Sequence, residues 1–256
     1  MTTLTETSPT GPGVWLALLL TLIALPTTAE GPPSQPAPPA GVRNSEYAEA
    51  APTVERISEH EARIGRVLVD RRAHRLEVPG KVIRLDPPLE FLAIKRNGDK
   101  GYESLIELDA TAVEFNTACI LIGLTQNQAT HPAFQSEKSP VGGDRVGVRV
   151  RWQVDGKDQE VEASRLLRLE GQPVEAPEWV YTGSVFLPDR RYLAALDGTL
   201  IGFVHSPASI IEHRTGLGLG HWGAVGGDPA VCPPVGTPVV LTVQVESVPV
   251  PDPVQR

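Results

Sequence analysis

The chain has 256 residues, 41% of them apolar, with 25 Pro, four Trp and two Cys, which is long enough for one or two domains with a stable core once the ends are set aside. Lys and Arg number 23 against 31 Asp and Glu, a net charge of −8, and this argues against a nucleic-acid binder, which needs a basic face to neutralise phosphates. Cys119 and Cys232 lie far apart in sequence, so they make no CxxC pair and cannot alone hold an iron–sulfur cluster.

The uncharged run from Val14 to Leu25, followed by Pro26-Thr27-Thr28-Ala29, reads as a signal peptide over residues 1–29 cut after Ala29, because it is too short to span a bilayer as a helix. The segment before it carries no Lys or Arg, which leaves an uncleaved N-terminal anchor as the alternative. Residues 30–53, with GPPSQPAPPAG near their start, form a proline-rich spacer whose composition cannot bury enough apolar surface to order itself. The folded unit is expected over residues 54–248, with Pro249, Pro251 and Pro253 marking an extended tail over 249–256.

Within that unit, strand-like alternation dominates. Short runs at 65–70, 74–78, 81–85 and 89–96, broken at Pro79-Gly80 and Pro87-Pro88, predict an antiparallel meander, and 103–109 predicts a further strand. Thr111 with Glu114 three residues later is a capping-box pattern opening a core helix that stops at Gly123. The alternating stretch Arg145 to Val154 leads through Asp155-Gly156 into 159–163, a strong hairpin signal. A short amphipathic segment at 163–169, strands at 179–187 and 199–205, a short helix opened by Ser206-Pro207, and a closing strand at 238–246 complete the reading. The expected fold is α+β, a mostly antiparallel sheet with one buried helix and one or two short helices.

Tyr102-Glu103-Ser104-Leu105-Ile106-Glu107-Leu108 running into the Thr111 helix, then Trp179 to Ser184, then Asp197-Gly198-Thr199-Leu200-Ile201 before Ser206-Pro207-Ala208, resembles the YdjY-type domain, a bacterial family often found behind signal peptides. The resemblance covers about residues 64–247. It implies a domain and not a mechanism. Relatives often carry His where this chain has Tyr102, so no role of that His transfers, and the iron–sulfur segments discussed with some relatives have no cysteine run here.

No residue set has the spacing of a known chemistry. His205, His213 and His221, followed by Asp228 and Cys232, are sensible zinc ligands that loops would have to gather, since steps of eight residues supply no paired ligands from one turn. Gly218 to Gly223 matches GxGxxG, but no strand leads in and no helix leads out, which rules out dinucleotide binding. Glu103 and Ser104 are the best candidates for acid–base or acyl chemistry, set against a turn-pinning role. Trp179, Tyr181 and Phe186 either pack in the core or line a groove for carbohydrate or peptide. Cys119 and Cys232 either form one long-range disulfide or are a buried small hydrophobe and a loop thiol.

The expectation is an exported, periplasmic or secreted binding or interaction module of the cell envelope, with a protein, peptide or carbohydrate partner. No nucleic acid is expected, no cofactor beyond the zinc alternative, and membrane contact only through an uncleaved N-terminus. A metal-dependent or hydrolytic enzyme using loop 205–232 is the competing expectation.

Overall fold

The computed structural model describes residue 49 and residues 51–174 and 178–246. The apolar run with the cleavage expected after Ala29, most of the expected spacer and the expected tail lie outside the described residues, within which no helix is long and apolar enough to cross a membrane.

In chain order the strands are β1 (Val54–Arg56), β2 (Glu61–Ile64), β3 (Val67–Asp70), β4 (Arg75–Val82), β5 (Phe91–Ile94) and β6 (Ser104–Leu108), followed by helix α1 (Ala112–Leu121). Then come β7 (Asp144–Val154), β8 (Lys157–Glu162), β9 (Leu167–Leu169), β10 (Gln172–Pro173) and β11 (Trp179–Tyr181), the short helix α2 (Leu193–Asp197), and β12 (Thr199–Gly202), β13 (Ile211–His213), β14 (Val225–Gly227) and β15 (Pro238–Val245). Strands β4, β15, β7, β11, β13, β12, β5 and β6 pair in that order, and β6 returns to β4. They form a closed eight-stranded barrel.

The α+β expectation is therefore corrected: this is a mostly β protein, 38% strand and 12% helical, built around a barrel. Period-two alternation reveals strands one at a time, but closure depends on a single strand taking a second partner and leaves no periodic trace. That strand is β4. Along one edge it pairs with β15; along the other it pairs with β3 at Arg75–Glu77 and then with β6 at Gly80–Val82.

Pro79-Gly80, expected as a break, lies inside β4 where the partner changes. The Asp109 N–H donates to the Pro79 carbonyl at 2.8 Å, and a strand residue's N–H and C=O point to the same side. The missing N–H of Pro79 thus faces the side where β4 passes from β3 to β6, away from its ladder with β15. Gly80 is required by proximity, because a Cβ there would stand 2.5 Å from the Glu107 carbonyl oxygen and 2.9 Å from Leu108 Cδ2.

Val146, Val148, Val150 and Trp152 are buried on one face of β7, while Arg145 and Arg149 on the other are exposed, so the barrel interior takes the apolar half of the alternation. The β7–β8 hairpin turns through Asp155 (φ 50°) and Gly156 (φ 75°), the positive angles that the Asp-Gly pair predicts. Strands β1 and β2 continue the sheet beyond β3, and β9, β10 and β14 form a separate three-stranded sheet.

Helix α1 begins as its capping box predicts, with Thr111 Oγ1 accepting from the Glu114 N–H and Glu114 Oε2 accepting from the Thr111 N–H. It buries Phe115, Ala118 and Cys119 and leaves Ile120 exposed, so it has one core face rather than being buried all round. Two local expectations fail. Ser206-Pro207 opens a turn and not a helix: the Ser209 N–H closes on the Ser206 carbonyl at 3.1 Å, and the Ile210 carbonyl is claimed by the Thr182 and Gly183 N–H groups. The strand expected over 179–187 stops at Tyr181, and α2 gave no sequence signal.

Replacing Gly80 with Val should destabilise the domain by about 3 kcal/mol or more, the size of a forced overpacking against backbone. Denaturant unfolding followed by far-UV dichroism checks this; an unchanged midpoint would mean that β6 yields without cost.

Candidate functional site

Directly opposed residues in a sheet project to the same face. Arg145, Val180, Glu212, Gly202 and Phe91 are linked partner to partner across β7, β11, β13, β12 and β5, and Arg145 is exposed, so this row faces outward from the barrel. All but Arg145 and the glycine carry fully or nearly fully buried side chains: the Lys100 ammonium lies over the Phe91 ring, the 203–210 loop brings Ser206 and Ser209 against Glu212 and Gly202, and Gln126 of the 125–143 loop bonds just beyond β11. The loops are tied down by the Ser136 N–H on the His205 carbonyl and the Val141 N–H on the Arg214 carbonyl.

Glu212 sits in this layer without exposure. Its Oε1 accepts the Ser206 N–H at 2.8 Å. Burial pushes its carboxyl up to about 8, against the opposing pull of the Ser206 N–H and the neighbouring Ser209 hydroxyl, so the group is held mainly neutral at pH 7.

The three histidines part company. His205 is fully buried, with Nδ1 2.7 Å from the Glu137 carbonyl and Nε2 2.9 Å from the His213 carbonyl, so both ring nitrogens are occupied by backbone. His213 is buried with its ring edge against Trp179, centroids 5.4 Å apart. His221 is exposed and contacts Glu170 at 3.2 Å. Asp228 pairs with Arg168 at 2.9 Å, and the Cys232 thiol, pushed up to about 12 by burial, donates to the Leu166 carbonyl. Among the described residues no three His, Cys, Asp or Glu side chains are placed to hold a metal ion. Cys119 and Cys232 are both free thiols, so the disulfide alternative gives way to the buried hydrophobe and loop thiol.

A cleft of about 180 Å³ opens where the 216–224 loop meets the entry to β5, lined by Leu89, Glu90, Ser136, Val204, His221 and Trp222 among others. Trp222 is 80% exposed. Gln135 donates to the Glu90 carboxylate, and the Glu90 backbone carbonyl takes the N–H groups of Phe203 and Val204, which holds the main chain there. Larger grooves include two of about 670 and 660 Å³, along β1–β2 and beside the β7–β8 turn. Neither presents an exposed large aromatic face.

A family model described as the YdjY domain matches residues 67–244, from β3 to the end of β15. The chain belongs to the YdjY domain family. Comparison with curated proteins and with solved structures gives no match.

In this YdjY domain, Glu103 is 8% exposed just before β6, and its backbone carbonyl accepts the Glu90 N–H at 2.8 Å. Burial, and then the Glu90 charge, raise its carboxyl above the ordinary glutamate range, with Lys100 opposing. Ser104 is buried and donates to the Lys100 carbonyl at 2.8 Å, a turn-pinning bond. Lys100 itself pairs with Asp197 at 2.8 Å and lies over the Phe91 ring. Of the two readings open for Trp179, Tyr181 and Phe186, core packing holds for the first two: Trp179 and Tyr181 point into the barrel core, Tyr181 donating to Asn116 Oδ1 of α1, while Phe186 lies outside against Tyr192 and the three line no groove. Glu90, Ser136 and Trp222, which the sequence reading passed over, are the residues that share the cleft. The available signal was the density of glycines around Trp222.

The raised pKa of the Glu212 carboxyl makes the stability of the domain depend on pH. Its folded value of about 8 exceeds the ordinary 4.5, so its contribution is full below pH 4.5 and lost as pH rises through 8. Glu212→Gln should therefore be more stable than the parent at pH 9 by a few kcal/mol, on the order of the cost of ionising a buried carboxyl, with the difference fading toward pH 4. Thermal unfolding across that range tests it, and parallel curves for the two proteins would refute it.

Proposed function

We propose that this YdjY domain is an exported, extracytoplasmic binding module that takes a carbohydrate ligand in the Glu90–Trp222 cleft. The carrying observation is Trp222, whose indole stands 80% exposed beside a cleft that also holds Glu90, Ser136 and His221. A flat apolar ring face suits the C–H face of a sugar, and a carboxylate with a hydroxyl beside it suits the sugar's hydroxyl groups. The polar groups fixing the ligand would then come from loops held on a rigid barrel, a common division of labour. The apolar run from Val14 to Leu25 and the proline-rich spacer support export and display away from the envelope.

Titrating soluble envelope-type glycans into the full chain while following Trp emission and heat should give saturable binding. Trp222→Ala should weaken it at least tenfold, the loss expected for a base of 1.4 kcal/mol or more from an aromatic contact, without altering the unfolding midpoint. Binding unaffected by this substitution, or given only by peptides, would overturn the assignment. A hydrolytic reading is favoured by one observation, the raised pKa of the Glu103 carboxyl, which suits a general acid. Turnover of a bound glycan that disappears in Glu103→Gln would establish it over simple binding.

A further inference from the structure

Lys100 and Asp197 come from distant parts of the chain and meet end to end. Lys100 lies in the turn before β6, where its carbonyl accepts the Ser104 hydroxyl at 2.8 Å, and Asp197 closes α2. The ammonium Nζ stands 2.8 Å from Asp197 Oδ2, and the two side chains are only 17% and 22% exposed. Lys81 and Glu107, by contrast, pair at 3.1 Å with the lysine 53% exposed. Three further groups surround the Lys100–Asp197 pair. The fully buried Phe91 ring lies beneath Nζ, its centroid 4.5 Å away. The Thr199 hydroxyl, fully buried at the start of β12, donates to Asp197 Oδ1. Glu103, in the same turn as Lys100, feels the charges of both Lys100 and Asp197, and burial, ahead of the Glu90 charge, holds its carboxyl above the ordinary glutamate range.

An amine held against a carboxyl group, a hydroxyl donor on the second oxygen and a nearby acid able to exchange a proton are the parts of an amide condensation. Groups fixed in contact react at effective concentrations on the order of 10⁵ M or more, which offsets the unfavourable loss of water that an ion pair meets in bulk solvent. We propose that Lys100 Nζ and Asp197 Cγ join in an intramolecular isopeptide bond, an autocatalytic cross-link between the turn before β6 and the end of α2. The step begins when the ammonium passes one proton to Asp197 Oδ2, leaving a free amine and a carboxylic acid. The amine lone pair attacks Cγ, and the Thr199 hydroxyl steadies the negative charge that gathers on Oδ1. Glu103 gives its proton to the departing Oδ2 hydroxyl and takes one from Nζ, so it ends as it began. The Cγ–Nζ bond forms, the Cγ–Oδ2 bond breaks, and one water leaves. The cross-link needs no ligand, metal or oxidant and does not use Trp222, so it stands or falls separately from carbohydrate binding.

The test reads peptide masses from the purified full chain after unfolding and digestion with trypsin. Cleavage should fail at Lys100, and residues 97–138 should appear joined to residues 192–214, lighter by one water than the two peptides together. Asp197→Asn should give the same joined peptides lighter by one ammonia instead, because the leaving group changes while the amide formed is the same. Lys100→Arg keeps the ion pair but offers no free amine, and its two peptides should come apart. In chains sampled at set times after synthesis, Glu103→Gln should slow the joining at least about 100-fold, the scale of a lost general acid, and Glu103→Asp should restore it. A parent chain cut at Lys100 into separate peptides of full mass would overturn the proposal, as would joined peptides in Lys100→Arg. Joining in Glu103→Gln at the parental rate would overturn the part assigned to Glu103.

Discussion

Everything else in the molecule depends on β4 exchanging β3 for β6 as its neighbour. The exchange closes eight strands into a barrel, so the strands on that path have no free edge to pair with another chain. It requires two backbones to approach where Gly80 meets the Glu107 carbonyl, closer than any Cβ permits. Pro79, which has no N–H to donate, stands at that changeover with its missing donor on the side away from β15. The interior filled by Val146, Val148, Val150, Trp179 and Tyr181 exists because that seam closes.

Closure creates a second demand. The outward row at Phe91, Gly202, Glu212 and Val180 is apolar or uncharged enough to need cover, which Lys100 gives Phe91 and the 203–210 loop gives Glu212 and Gly202. Loops carry polar backbone groups that must be satisfied when buried. His205 bridges two carbonyls, Gln126 donates to the Thr182 and Ser184 carbonyls, and Glu212 accepts the Ser206 N–H. Residues of the types that perform catalysis elsewhere are here used to hold loops onto a sheet. What the cover leaves to solvent is Trp222, His221 and the glycines around them.

The parts legible in the sequence were those whose cause is local. The capping box of α1 and the Asp-Gly hairpin follow from hydrogen bonds and backbone angles within a few residues. Pro79-Gly80 was misread because the same pair that breaks an ordinary strand can serve a strand that changes partners. Ser206-Pro207 was misread because β-branched Ile210 and Ile211 were drawn to β11 across the sheet, where pairing outweighs a helix start. His205, His213 and Cys232 share a sequence neighbourhood, yet one bridges loop carbonyls, one packs on Trp179 and one points at Leu166.

The sequence by itself determined the strand segments, the capped helix, the tight hairpin and, through the order of its short blocks, the YdjY family. Tertiary structure alone decided that the strands close, that Trp179 and Tyr181 are inside while Trp222 is outside, and that Glu212 is buried as a neutral acid. The physical reason is range. Backbone angles and caps are set by adjacent residues, whereas burial and acidity are set by whichever distant segment comes to lie on top.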